Sequence, residues 1–139
     1  MRFSALLLTV MLFCNSVRAQ DIELPPSPEP LVELQWSMAF AILIVDECPE
    51  YVHAPTNDPK VVAYLDRLVA NGIDLRNFNT AYRPPKDFDG DAVKWLFKRS
   101  NLADSVAPEA ESICDIADMV YQSDMLTGAM LRRRLDGTS

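Results

Sequence analysis

The chain has 139 residues, 13 of them Lys or Arg against 20 Asp or Glu, for a formal net charge of −7. That balance argues against nucleic acid or an anionic membrane surface as partner, because both are polyanions. The length allows one domain with a modest core and not two.

Arg2 followed by the apolar run Phe3 to Cys14 and then by Val17-Arg18-Ala19 has the layout of a secretory signal peptide, so residues 1–19 are expected to be removed after Ala19. The apolar run falls short of the roughly 20 residues that cross a bilayer. A buried N-terminal helix is the competing reading, and it leaves the order of charge, apolar run and small residue unexplained. Cleavage would remove Arg2, Arg18 and Cys14, leaving a more acidic chain with no stable membrane anchor and with Cys48 and Cys114 as its only cysteines. In an oxidising compartment those two are expected to pair within the chain. Free thiols or an intermolecular bridge are the alternatives.

Gln20 to Pro30 is acidic and holds four prolines, which predicts a flexible, extended arm with Pro30 at the edge of a first helix. The helical domain is expected over residues 31–135, followed by a short tail, 136–139. The first helix, about Leu31 to Glu47, carries Leu31, Leu34, Met38, Ala41, Ile42 and Val45 at three- and four-residue steps, and Pro49 stops it. Its second half is apolar nearly all round, which suits the middle of the domain.

The second helix is bounded by the N-cap Asp58, by Pro59 at the first helical position and by Asn71-Gly72 at the end, with Ile73 folding back. Val61, Val62, Leu65, Leu68 and Val69 form its predicted buried stripe. Asp74 is expected to cap a short third helix through Leu75, Phe78 and Tyr82, which Pro84-Pro85 terminates. Asp87 to Ser100 reads as a fourth, with acidic residues at its front and Lys94, Lys98 and Arg99 near its end, in the order that suits the helix dipole.

The last helix is expected to run from about Pro108 to Leu135, with Arg132, Arg133 and Arg134 at its C-terminal end. Ser123, Thr127 and Gly128 are small enough for another helix to come close. No strand-like alternation of useful length is present. The expected fold is therefore all-α: a small bundle of four to five helices in which a Cys48–Cys114 bridge sets the first and last side by side and antiparallel.

Chemistry is sparse. Asp87-Phe88-Asp89-Gly90-Asp91 suggests a calcium loop, but Ala92 stands at the sixth position, where glycine belongs, and Lys98 at the twelfth, where a bidentate Glu belongs. A capped helix start explains it better. His53 is the single histidine and has no nominated nucleophile or co-ligand, so it reads as a solvated loop residue. Glu111, Asp115 and Asp118 share one helical face, a pattern commoner on exposed acidic surfaces than at acid–base sites. Arg132, Arg133 and Arg134 offer a grip for a carboxylate or phosphate. Trp36, Tyr51 and Tyr82 are candidates to line a groove between helices, although the core edge is the commoner place for such residues.

The helix ending in Asp46-Glu47-Cys48-Pro49, the Tyr64-Leu65-x-x-Leu68-x-x-x-Gly72 helix, and the Cys114 helix with Ser123 and Gly128 before Leu131-Arg132 resemble a family of small secreted, single-disulfide helical bacterial proteins catalogued as a domain of unknown function. Asn77 to Asp91 departs from that pattern. The resemblance implies a periplasmic address and a helical fold, and carries over no site. The sequence thus leads to the expectation of a non-enzymatic periplasmic protein with no metal and no cofactor, binding an unknown protein or small ligand through an interhelical groove. Its candidate partner-binding residues are Arg132, Arg133, Arg134, Trp36 and Tyr51. The alternatives are an acid-stress chaperone, loosened when its carboxylates are protonated, and, third, a hydrolytic enzyme built on His53 or the carboxylate face.

Overall fold

The structure is a computed structural model that describes residues 23–55, 58–100, 102 and 112–135. The expected signal segment, the start of the expected last helix with Glu111, and the tail lie outside the described residues.

Helix α1 spans Glu29–Glu47, two residues longer at its start than expected, with Pro30 tolerated in the first turn, where no N–H partner is needed. Its buried residues are Leu31, Leu34, Ser37, Phe40, Ala41 and Ile44. Met38 and Ile42, placed by periodicity on the inner face, are 39% and 47% exposed. A helix apolar nearly all round offers two stripes of similar hydropathy, and side-chain fit selected the one carrying Phe40 and Ile44. Before the helix, Ser27 donates its backbone N–H to the Arg83 carbonyl (3.2 Å) and Arg83 donates to the Pro25 carbonyl (2.7 Å), so Pro25 to Ser27 lie along the chain at Arg83.

Cys48 caps α1, its N–H donating to the Ile44 carbonyl at 2.7 Å. A tight turn then leads into strand β1, Tyr51–His53. Helix α2, Pro59–Ala70, matches the sequence boundaries: the Asp58 carboxylate accepts from the Lys60 N–H at 2.8 Å, and Gly72 at φ 85° ends the helix in the left-handed region. Ile73 folds back, donating to the Leu68 carbonyl at 3.1 Å. Only Val61 and Leu68 of the expected stripe are buried, whereas Val62 and Val69 are 45% and 58% exposed. Thus α2 leans on the domain by one edge.

Helix α3 is the single turn Phe78–Ala81 with Asn77 at its N-cap. Asp74 does not cap it. Its carboxylate instead closes a local turn, accepting from the Arg76 N–H and the Asn77 side-chain amide, and these bonds hold its pKa below the ordinary Asp value. Helix α4, Gly90–Lys98, is capped by Asp89, which accepts from the Ala92 N–H at 2.9 Å. The acidic triplet is thus a helix start. α4 docks on α1 through Trp36 edge-on to Trp95 (ring centroids 5.1 Å) and Phe40 between Phe88 and Phe97 (5.6 and 6.2 Å).

The expected long last helix is divided into three elements. Helix α5 covers Ile113–Tyr121, helix α6 covers Leu126–Ala129, and strand β2 covers Leu131–Arg133. The break lies at Ser123, whose Oγ donates to the Val120 carbonyl (2.6 Å) and accepts from the Met125 N–H (3.1 Å), replacing helical bonds with side-chain ones. β2 pairs antiparallel with β1 in the register Tyr51 to Arg133, Val52 to Arg132 and His53 to Leu131. The fold is therefore mostly helical with a two-stranded sheet and is not purely all-α. The arginines lie in and just after a strand, not at a helix end.

Cys48 and Cys114 are disulfide-bonded with their Cα atoms 5.5 Å apart, joining the end of α1 to the first turn of α5, the fifth helix. With a sequence separation of 66 between them, the bridge contributes about 4 kcal/mol in the chain-entropy model. Among the described residues no helix is long and apolar enough to cross a membrane.

Candidate functional site

Two cavities open on either side of one ion pair. The first, of about 160 Å³, is lined by residues including Glu33, Ser37, Leu96, Arg99 and Leu126. The second, of about 270 Å³, is lined by Pro30, Glu33, Tyr64, Arg67, Leu68, Asn71 and Arg99. Glu33 and Arg99 border both, so the two form one groove where the first half of α1, α2 and the end of α4 meet.

Local structure explains how these side chains arrive there. Glu29 and Glu33 are one turn apart on α1 and present two carboxylates to one guanidinium. Arg99, at the C-cap of α4, donates through Nε to Glu33 at 3.0 Å and through Nη1 to Glu29. Its guanidinium also lies over the Trp95 ring, 4.7 Å from the centroid, which limits its rotation. Tyr64 of α2 brings its hydroxyl to 2.8 Å from the Pro30 carbonyl and 3.2 Å from Glu33 Oε2. Burial first, then the Glu33 charge and hydrogen bond, push the Tyr64 pKa well above the ordinary value, with Arg99 and Arg67 opposing. Arg67 stacks over the Tyr64 ring at 5.0 Å and has no ion-pair partner among the described residues.

The residues singled out by sequence fall in two separate places. Tyr51 and Arg133 come together across the sheet. The buried Tyr51 hydroxyl donates to Asp118, and Arg133 Nη2 donates to the same carboxylate oxygen at 2.9 Å. Arg133 also lies 5.8 Å from the Tyr51 ring centroid and 5.4 Å from that of Tyr121. Burial, then the hydrogen bond to Asp118, raises the Tyr51 pKa, and Arg133 works against that rise. Arg134 ties its backbone N–H to the Glu50 carbonyl, and Arg132 lines a third cavity of about 340 Å³ with Asp58, Lys60 and Gly128. Trp36 lies on α1 against α4, its Nε1 donating to the Lys86 carbonyl at 3.1 Å.

Sequence reasoning missed Glu33, Tyr64, Arg67 and Arg99 as a site. Arg99 looked like a dipole-compensating helix end, and nothing local links it to a glutamate 66 positions earlier. The only available signal was the one-turn Glu29/Glu33 pair facing away from the apolar stripe.

The groove is lined by two carboxylates (Glu33 and Asp124), two guanidinium groups, two serine hydroxyls, the Tyr64 hydroxyl and the Asn71 amide, and neither lining set includes a His or Cys. Among the described residues, no group of three His, Cys, Asp or Glu is placed to hold a metal ion. No family model matches the chain, and neither does any curated protein or solved structure.

Proposed function

We propose that this chain is a periplasmic, non-enzymatic binding protein, delivered by the segment Met1 to Ala19, and that the groove bordered by Glu33 and Arg99 is its ligand site. The observation carrying this reading is that two adjoining cavities share a fixed ion pair. A preformed concavity with a few converging polar groups suits recognition, and its polar groups do not form a nucleophile–base pair. The disulfide is compatible with an extracytoplasmic, oxidising setting. In this reading α1 and α5 form the antiparallel frame, and the chain stands beside the small secreted single-disulfide helical proteins its motifs resemble.

The test is thermal unfolding of the disulfide-intact protein against a panel of small carboxylates, phosphates, amines, sugars and short peptides. At least one class is expected to raise the melting temperature, and Asn71→Trp, at the mouth of the larger cavity, is expected to abolish that rise. If no class raises it, the reading fails.

The exposure of Met38 and Ile42 on α1 and of Val62 and Val69 on α2 supports a second reading, an acid-stress holdase that exposes further apolar side chains when its carboxylates are protonated. Native near-UV circular dichroism at pH 2–3 with no suppression of client aggregation would sink it.

A further inference from the structure

The chemistry of the larger cavity points to a ligand class, an inference that rests on the groove being a ligand site. Arg99 carries five N–H donors, and its two hydrogen bonds to Glu29 and Glu33 occupy two of them. Arg67, on the same cavity, has no ion-pair partner among the described residues, and its stacking on Tyr64 holds the guanidinium in place. Asn71 adds an amide at the rim. Against these donors lie the buried Leu68 and the ring of Pro30, an apolar floor.

We infer that the groove takes a small organic monocarboxylate, its carboxylate held between Arg67 and Arg99 and its short apolar body laid on Leu68 and Pro30. Guanidinium pairs match carboxylate geometry in two-point contacts. The Glu29 side chain, 61% exposed, is the carboxylate a ligand can replace at Arg99, whereas that of Glu33 is 22% exposed and also bonded to Tyr64. Glu33 stays in the cavity wall, so a single negative charge suits the site better than the double charge of a phosphate monoester. The cavity, about 270 Å³, lies just below the range of roughly 300–1,000 Å³ that accommodates drug-sized ligands.

The protein has a built-in reporter, because its two tryptophans are Trp95, beneath Arg99, and Trp36, in edge contact with Trp95. Tryptophan emission should be titrated with sodium butyrate, sodium phosphate and n-butylamine at matched ionic strength. The expected result is a saturable change with butyrate alone. Arg67→Gln, which removes an exposed side chain and leaves the Glu33–Arg99 pair intact, is expected to weaken butyrate at least tenfold while lowering the melting temperature of the unliganded protein by no more than the few degrees that loss of its contact with Tyr64 accounts for.

A non-saturating butyrate response, or saturation unaffected by Arg67→Gln, overturns the carboxylate assignment. If butylamine or phosphate saturates instead and Asn71→Phe, which blocks the cavity without adding a third indole, abolishes that response, the carboxylate assignment falls and the groove stands as a ligand site. Silence from all three probes, together with a flat thermal panel, removes both.

Discussion

Gly128 on α6 lies against the carbonyl of Val120 on α5, so close that a Cβ at Gly128 would overlap that oxygen. The obstacle is backbone and cannot rotate away. Gly128→Ala is therefore expected to destabilise the protein by about 1–3 kcal/mol, the usual range for overpacking. Gly90→Ala, where a Cβ meets nothing within 4 Å, is the control and should leave the denaturation midpoint close to wild type. Equal midpoints for both variants would show that α6 does not pack on α5 as described.

The Cys48–Cys114 bridge closes a loop of 66 residues, and its loss is expected to lower stability by about 4 kcal/mol. Because Cys48 is fully buried, the Cys48→Ala, Cys114→Ala pair also adds a small packing loss. Denaturant unfolding of the double variant beside the oxidised wild type measures it, with a lower midpoint and a steeper slope expected, because the chain without its cross-link exposes more surface when unfolded.

Leu68 is buried while Val62 and Val69 on the same helix are exposed. Leu68→Ala is expected to cost about 2–5 kcal/mol, whereas Val62→Ser and Val69→Ser should each stay within about 0.5 kcal/mol of wild type. Comparable losses at all three positions would restore the wider stripe that periodicity suggested.

Tyr51 and Tyr64 both have raised pKa values, mainly because burial disfavours the phenolate. The unfolded chain ionises its tyrosines near pH 10, so it releases these protons before the folded chain does. Stabilisation from the two neutral hydroxyls is therefore intact below about pH 10 and is lost as pH rises above that value towards the folded-state ones. Thermal unfolding followed from pH 8 to 11 is expected to show a decline setting in near pH 10. Tyr64→Phe should flatten the part of it that belongs to the groove. An unchanged slope in that variant would mean that Tyr64 ionises freely in the folded protein.

Much of α2 and the start of α4 were legible because their signals are local. Asp58-Pro59 and Asn71-Gly72 bracket one helix through bonds spanning a few residues, and Asp89 caps the other. The fate of Asp74 was also a local question, but a cap and an Asx-type turn use the same carboxylate on neighbouring N–H groups, and the sequence does not separate them. The last helix misled for a different reason. A three-residue strand is too short to show alternation, and the apolar positions from Val120 to Leu131 satisfy helical spacing as well as they satisfy a turn, α6 and β2.

By itself the sequence determined the helical character and the ends of α2 and made Cys48–Cys114 the expected pair, since caps, prolines and glycine act through short-range geometry and an even cysteine count through simple chemistry; the structure then showed the bond. Tertiary structure decided which stripe of α1 faces inward, where the last helical region breaks, and how Tyr51 meets Arg133 across a sheet. It also assembled the groove: Glu33 and Arg99 are 66 positions apart, and only the docking of α4 on α1, with α2 leaning in by one edge, brings their charges together. Contacts at that separation depend on how helices pack, and packing follows from the fit of many side chains at once.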